Sequence, residues 1–475
     1  MSLLETKVFS VLQKFDKYEQ NRCRKYIYSP YFNANEQLLQ LYDILVKEIA
    51  KPSKKGLSKQ MVWKEIYPSK KYDDVRIRKH TSELMKLVEG YLTQQFYDED
   101  SYNAAVNLMK VAERKGLDEL YKGSIRNANR ILEKHKSLSA SYFLNKYRME
   151  DYSFGLLFDN ESRIDQKPLN YTRALKNLDQ FYLAEKLRIY CSILSREYIT
   201  SHDYEVEFMN EIIEYVSNNI EDVLPNVKVY YFMYLTYKDR SDLESYFKFR
   251  DLTNKFSTEF PQKEAYGIYN SLINYCGHQI RAGKKDFFKE LFSIYKEMND
   301  NGTIVINNSI HPAMFRNVVA IASNIEEYEW AENFISDNKE KLAEDQRENL
   351  VTFNLARLYF AQKKYDQVTN LLREVEYSDI SLALQAKTIL LMTYFDTDEL
   401  DPLESFLESF RVYLNRHKEI PQQRKDYFKN LIKFTKKLTR IIPGDKEAVA
   451  KIKKEIEETE NFRVRWLEEK IGELE

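Results

Sequence analysis

Six histidines, His80, His135, His202, His278, His311 and His417, are scattered over 475 residues, and no two stand in the i, i+4 relation that sets a pair of imidazoles around zinc on one helical face. Three cysteines, Cys23, Cys191 and Cys276, form no Cys-x-x-Cys pair, and their odd number excludes a closed disulfide framework. A reduced, cytosolic compartment is therefore expected. Cys276 and His278 stand two residues apart, so on one helix they would point about 200° from each other and could not act as nucleophile and base. Cys191 and Cys276 read instead as small packed core residues. The acidic runs Glu455-Ile-Glu457-Glu458 and Asp396-x-Asp398-Glu399 lack the glycine and ligand spacing of a calcium loop and read as solvated faces and turns. No Gly-rich phosphate loop and no Gly-x-Ser-x-Gly elbow is present. These absences point away from an enzyme, and neither a metal nor a cofactor is expected.

The elements that would position functional side chains are helical. Only 11 Gly and 10 Pro serve the whole chain, too few for the turns of a sandwich, a barrel or a dinucleotide-binding fold. Hydrophobic residues at 43% supply a core, while no apolar run approaches the 18 residues of a membrane span, so no membrane partner is expected. Lys+Arg and Asp+Glu nearly cancel at 73 against 74, yet residues 1–95 carry an excess of about seven positive charges and the remainder is acidic.

Residues 1–96 read as a basic helical domain. A helix is expected over Leu3 to Lys25, a second over Glu36 to Ile49, a short third after an N-cap at Ser58, and a long fourth from Asp73 or Asp74 to Gln95. In the fourth, Val75, Leu84, Leu87, Val88 and Leu92 mark the expected buried stripe. Residues 97–440 form a run of amphipathic segments with short polar joints such as Lys115-Gly116 and Asn299 to Gly302, interrupted only by a short extended run, Thr303-Ile-Val-Ile306. Residues 441–475 read as one charged capping helix with Val449, Ile452, Ile456, Trp466, Leu467 and Ile471 inward.

Self-similarity is clearest over residues 315–410. Leu355, Ala356, Tyr359, Tyr365, Val368, Leu371 and Leu372 align, 37 residues back, with Val318, Val319, Ala322, Tyr328, Ala331, Phe334 and Ile335. Shifted 35 residues forward, they align with Leu390, Leu391, Tyr394, Leu400, Leu403, Phe406 and Leu407. This pattern resembles a degenerate tetratricopeptide repeat, with Lys363 where that family has a turn glycine. The resemblance implies an all-α, right-handed solenoid of two helices per repeat, whose first helices line a groove. The family's groove positions fall here on Arg316, Phe353, Arg357, Phe360, Met392 and Phe395. It further implies a non-enzymatic scaffold or adaptor that binds another protein or peptide segment there, with self-association as a related outcome. The single run Tyr269 to Cys276 also resembles a pentatricopeptide unit, a family that reads RNA.

The alternative function lies in residues 1–96. The segment Ser58 to Lys86 has the form of a degenerate helix-turn-helix, with Lys54, Lys55, Lys59, Lys70, Lys71, Arg76 and Lys79 as candidate nucleic-acid contacts. On that reading residues 1–96 dock DNA and the array recruits or senses a partner.

Overall fold

The computed structural model describes residues 2–53, 56–158, 171–197, 204–372, 379–460, 462 and 464–474. The fold is all-α: among the described residues 78% are helical and there is no strand. The expected extended piece near Thr303 is a turn closed by one bridge between Ile306 and Ser309. No helix among the described residues is long and apolar enough to cross a membrane. The chain divides into two compact units, Met1–Lys136 with Ser141–Leu178, and Ser137–Ala140 with Asp179–Glu475.

In the first unit, helices Lys7–Leu12, Lys17–Tyr28, Glu36–Ala50, Lys59–Ile66 and Asp74–Glu99 enclose Leu41, Tyr42, Leu45, Ile77, Leu84 and Val88. The single helix expected over 3–25 is broken. Asp16 accepts the Glu19 N–H at 2.7 Å while the Glu19 carboxylate accepts the Asp16 N–H at 2.9 Å, and this reciprocal capping box begins a new helix. The long helix also presents a different stripe from the one expected. Its buried positions are Ile77, His80, Leu84, Val88 and Tyr91, whereas Val75 is 72% and Leu92 38% exposed. A polar His80 occupies the core because the Tyr67 hydroxyl meets its Nε2 at 2.7 Å, so a stripe drawn from apolar residues alone takes the wrong angle. Gly90 marks a close crossing on the same helix: a Cβ there would stand 2.7 Å from the Tyr26 hydroxyl oxygen.

The second unit is a succession of helical hairpins. Its pairs are Pro225–Lys238 with Leu243–Phe256, Gln262–Arg281 with Phe287–Asp300, Pro312–Asn324 with Tyr328–Asn338, Glu344–Ala361 with Tyr365–Leu372, Ile380–Asp396 with Leu400–Arg416, and Gln422–Leu438 with Lys446–Glu457. The 312–324 helix packs on the 344–361 helix, which packs in turn on the 380–396 helix, so first helices lie side by side. One apolar core runs through all of these pairs, from Ala184 to Ile471. A buried polar network crosses it, in which Glu290 accepts from the Tyr246 hydroxyl at 2.9 Å and from Arg250 Nε at 3.2 Å, while Arg250 Nη1 pairs with Glu297 at 2.6 Å. Burial of those charges is sustained by their mutual pairing.

The joints within hairpins repeat one turn. Gly283, Glu326, Lys363 and Asp398 have φ of 88°, 66°, 59° and 56°. In each, the residue's N–H bonds the carbonyl three back and the following N–H bonds the carbonyl five back; for Lys363 and Lys364 these are Phe360 at 3.0 Å and Tyr359 at 2.9 Å. This is the Schellman helix stop, which favours glycine because a Cβ crowds the left-handed conformation. Three of the four positions carry side chains instead. Their intervals of 37 and 35 residues are those of the sequence self-similarity.

The C-terminal segment forms two helices, Lys446–Glu457 and Arg465–Glu473, where one was expected. All six residues expected inward are buried. The Asp396 carboxylate fastens the last helix, accepting from Trp466 Nε1 at 3.2 Å, Lys470 Nζ at 3.2 Å and the Tyr365 hydroxyl at 3.0 Å.

Candidate partner groove

The helix Gln262–Arg281 buries Ala265, Ile268, Tyr269, Leu272, Tyr275 and Cys276 on one side. On the other, Gly267, Asn270, Asn274, Gly277 and Arg281 follow one another at intervals of three and four residues, which stacks them along a single face. Both glycines are helical. A Cβ at Gly267 would meet nothing within 4 Å, and at Gly277 only the Arg281 guanidinium at 3.6 Å. Packing therefore does not require either glycine, although each lowers helix stability by about 1 kcal/mol relative to alanine.

That face is the floor of two adjoining depressions of about 640 and 390 Å³, which share Ser195, Tyr237 and Asn274. Their walls come from the helix Tyr171–Glu197 beyond Asp179, the 225–238 helix, the 287–300 helix through Leu291 and Tyr295, and the 312–324 helix through Asn317, Ala320 and Ile321. The charged lining comprises Arg188, Arg196, Arg240, Lys263 and Arg281 against Glu264. Glu264 accepts from the Tyr230 hydroxyl at 2.6 Å, and burial pushes its carboxyl above the usual carboxylate range while Arg188 opposes the rise. Arg188 holds Glu185 through two bonds of 2.6 and 2.8 Å, the chief cause of its guanidinium standing above its ordinary pKa. At the other end, burial and then Arg240, Arg281 and Lys284 push the His278 imidazole below its usual value. The result is a trough of mixed lining, with Ile273, Leu291 and Ile321 beside the cations on its walls and amide side chains on its floor.

The residues that sequence reasoning places in the groove lie farther along the array and line neither depression. Phe353 is fully buried and offers no contact surface, a correction to its expected role. It supports Arg357, whose guanidinium lies 4.9 Å from its ring centroid and donates to Gln385 Oε1 at 3.0 Å and, more weakly, to the Arg316 carbonyl at 3.5 Å. Burial, with Arg316 adding to it, pushes the Arg357 guanidinium down to about 10. Phe360 is half-buried against Tyr365, their ring centroids 5.8 Å apart, and Met392 is half-buried against the core. Phe395 meets Trp466 edge-on at 5.1 Å, so the chain's own last helix already covers it. The structure thus brings Arg316, Phe353 and Arg357 together, with Phe360 one turn farther along the same helix face and Met392 and Phe395 on the next first helix. Sequence reasoning missed the 267–281 stripe, whose signal was the alternation of Gly and Asn at helical spacing.

Among the candidate nucleic-acid contacts, Lys54 and Lys55 lie outside the described residues. Lys59 pairs with Asp74 at 3.4 Å and Lys79 with Glu83 at 3.9 Å. Lys70 and Arg76 lie over the Tyr67 ring at 4.9 and 5.0 Å, while Lys71 is exposed. The long helix opens with Asp73 capping it and Asp74 bonded to Arg78, which sets two carboxylates at the end a groove reader would insert.

The three cysteines are buried and free, and burial pushes the Cys23 and Cys276 thiols up to about 12. Among the described residues no His/Cys/Asp/Glu cluster could hold a metal ion. No protein family, curated protein or solved structure matches the chain.

Proposed function

We propose that the chain is a non-enzymatic interaction scaffold whose second unit is a tetratricopeptide-like solenoid holding a segment of another protein in the trough over the 262–281 helix. The observation that carries this reading is that trough: five neighbouring helices bring small, amide, cationic and apolar side chains around two adjoining depressions. Concave surfaces of this size and lining occur where helical hairpins stack and a chain is received between them. The recurring Schellman joints at 35- and 37-residue intervals support the solenoid part of the proposal.

A photo-crosslinking side chain placed at Asn274 tests it in the native cell. Partner adducts are expected at Asn274 and not at Glu329, on the second helix of its hairpin; equal labelling from both positions would count against the trough. The nucleic-acid reading of residues 1–96 has less support, because Lys59, Lys70, Arg76 and Lys79 are engaged within the unit. A salt titration of residues 1–475 against nonspecific duplex DNA separates the two readings, since phosphate binding falls steeply with added salt.

A further inference from the structure

We infer that the trough takes an extended, acidic polypeptide segment, its backbone lying over Gly267 and Gly277 and its carboxylates on Arg281 and Lys263. This inference rests on the trough being the partner-binding surface. Three observations carry it. The charge of the lining is lopsided: with Arg188 set against Glu185, Arg196, Arg240, Lys263 and Arg281 stand against Glu264, so the trough is complementary to negative charge. Arg281 and Lys263 form no hydrogen bond or ion pair among the described residues. The floor combines two glycines that nothing in the fold requires with Asn270 and Asn274 one turn apart. Glycine lets a second backbone approach a helix closely, and a carboxamide carries both a donor and an acceptor, matching the C=O and N–H of a peptide unit.

A single-stranded nucleic acid is also anionic, but the trough is poorly equipped for it. Such ligands are held largely by bases stacked on open aromatic faces. The rings here are Tyr230, Tyr237 and Tyr295; Tyr230 and Tyr295 are buried, and the Tyr237 hydroxyl donates to Ser271 at 3.1 Å. Four helices packed at about 9 Å intervals span roughly the reach of eight to ten extended residues, which sets the probe length.

The test uses fluorescein-labelled decapeptides of alternating Glu-Ala, Ser-Ala and Lys-Ala, and a ten-nucleotide oligouridine, titrated against the full chain by fluorescence anisotropy. The Glu-Ala probe is expected to bind at least about tenfold more tightly than the others and to lose about tenfold between 50 and 300 mM salt. Lys263→Gln with Arg281→Gln should remove that preference. Gly267→Leu with Gly277→Leu should abolish binding while leaving the thermal midpoint unchanged or about 2 °C higher, because leucine is the better helix former and its Cβ meets open space. Equal binding of Ser-Ala and Glu-Ala, blocked by the leucine pair, would overturn the acidic inference and leave the trough reading standing. Tighter binding of oligouridine would overturn the inference in favour of nucleic acid. If no probe binds, or binding survives the leucine pair in a folded protein, both the inference and the reading beneath it fail.

Discussion

Replacing Glu326, Lys363 and Asp398 together by glycine should make the second unit more stable. Each residue sits at φ near +60° at the end of a first helix, and each is exposed with its side chain outside the core. A left-handed conformation costs an L-residue about 1–2 kcal/mol. Glycine removes that strain but loses about 0.5–1 kcal/mol more backbone freedom on folding, leaving a net gain of about 0.5–1 kcal/mol per site. The three joints belong to separate hairpins and share no partner, so their effects should add to about 2 kcal/mol. With an unfolding entropy of about 2.1 cal/mol/K per residue over roughly 300 residues, that gain raises the thermal midpoint by about 3 °C. Circular dichroism at 222 nm through a thermal or urea transition reads the shift. The matching triple alanine variant keeps the Cβ and should show no such rise. A triple glycine variant no more stable than the alanine one would refute the argument that these joints are strained Schellman stops.

Other consequences are open to similar tests. Gly90→Ala sets a Cβ against the Tyr26 hydroxyl, a clash that the roughly 1 kcal/mol helix gain of alanine only partly offsets, and should destabilise the first unit by about 1 kcal/mol, read as a lower urea midpoint. Asp396→Asn weakens the acceptor for Trp466, Lys470 and Tyr365, and should cost about 1–3 kcal/mol while exposing the 465–473 helix to limited proteolysis well before the rest of the unit. Glu264 has a folded pKa raised above its unfolded value by burial, so the folded state binds the extra proton and stability falls as pH rises through that window. Glu264→Gln keeps the acceptor for Tyr230 and should raise the thermal midpoint at neutral pH, with the advantage vanishing below about pH 4, where the unfolded carboxyl is also protonated.

Helix as the only regular element among the described residues was legible from the poverty of glycine and proline, and the hairpin interval from Tyr359, Tyr365 and their counterparts. The buried face of the C-terminal segment was legible too, because Val449, Ile452 and Ile456 repeat at helical spacing. What escaped were polar residues doing structural work. Asp16 and Glu19 carried the capping-box signature that ends the first helix, yet their apolar neighbours suggested continuity. His80 lies in the core through one hydrogen bond with Tyr67, which shifts the stripe of the long helix away from Val75 and Leu92. Phe353 stood at a position that family resemblance assigned to the groove, and the fold turned it inward beneath Arg357. The trough itself was hidden because its chief residues are glycine and asparagine, types that carry no hydrophobic signal and read individually as interruptions. Only their placement on one face of an otherwise well-buried helix gives them meaning.

Two glycines on a common side of the 262–281 helix also set its mechanics. A helix resists bending least where side chains are missing, and here they are missing on one side only, so the rod yields most readily toward the depression. The fit of a partner in the proposed trough then rests on these two bare positions, while the buried tyrosines on the opposite side hold the rod's place along the stack.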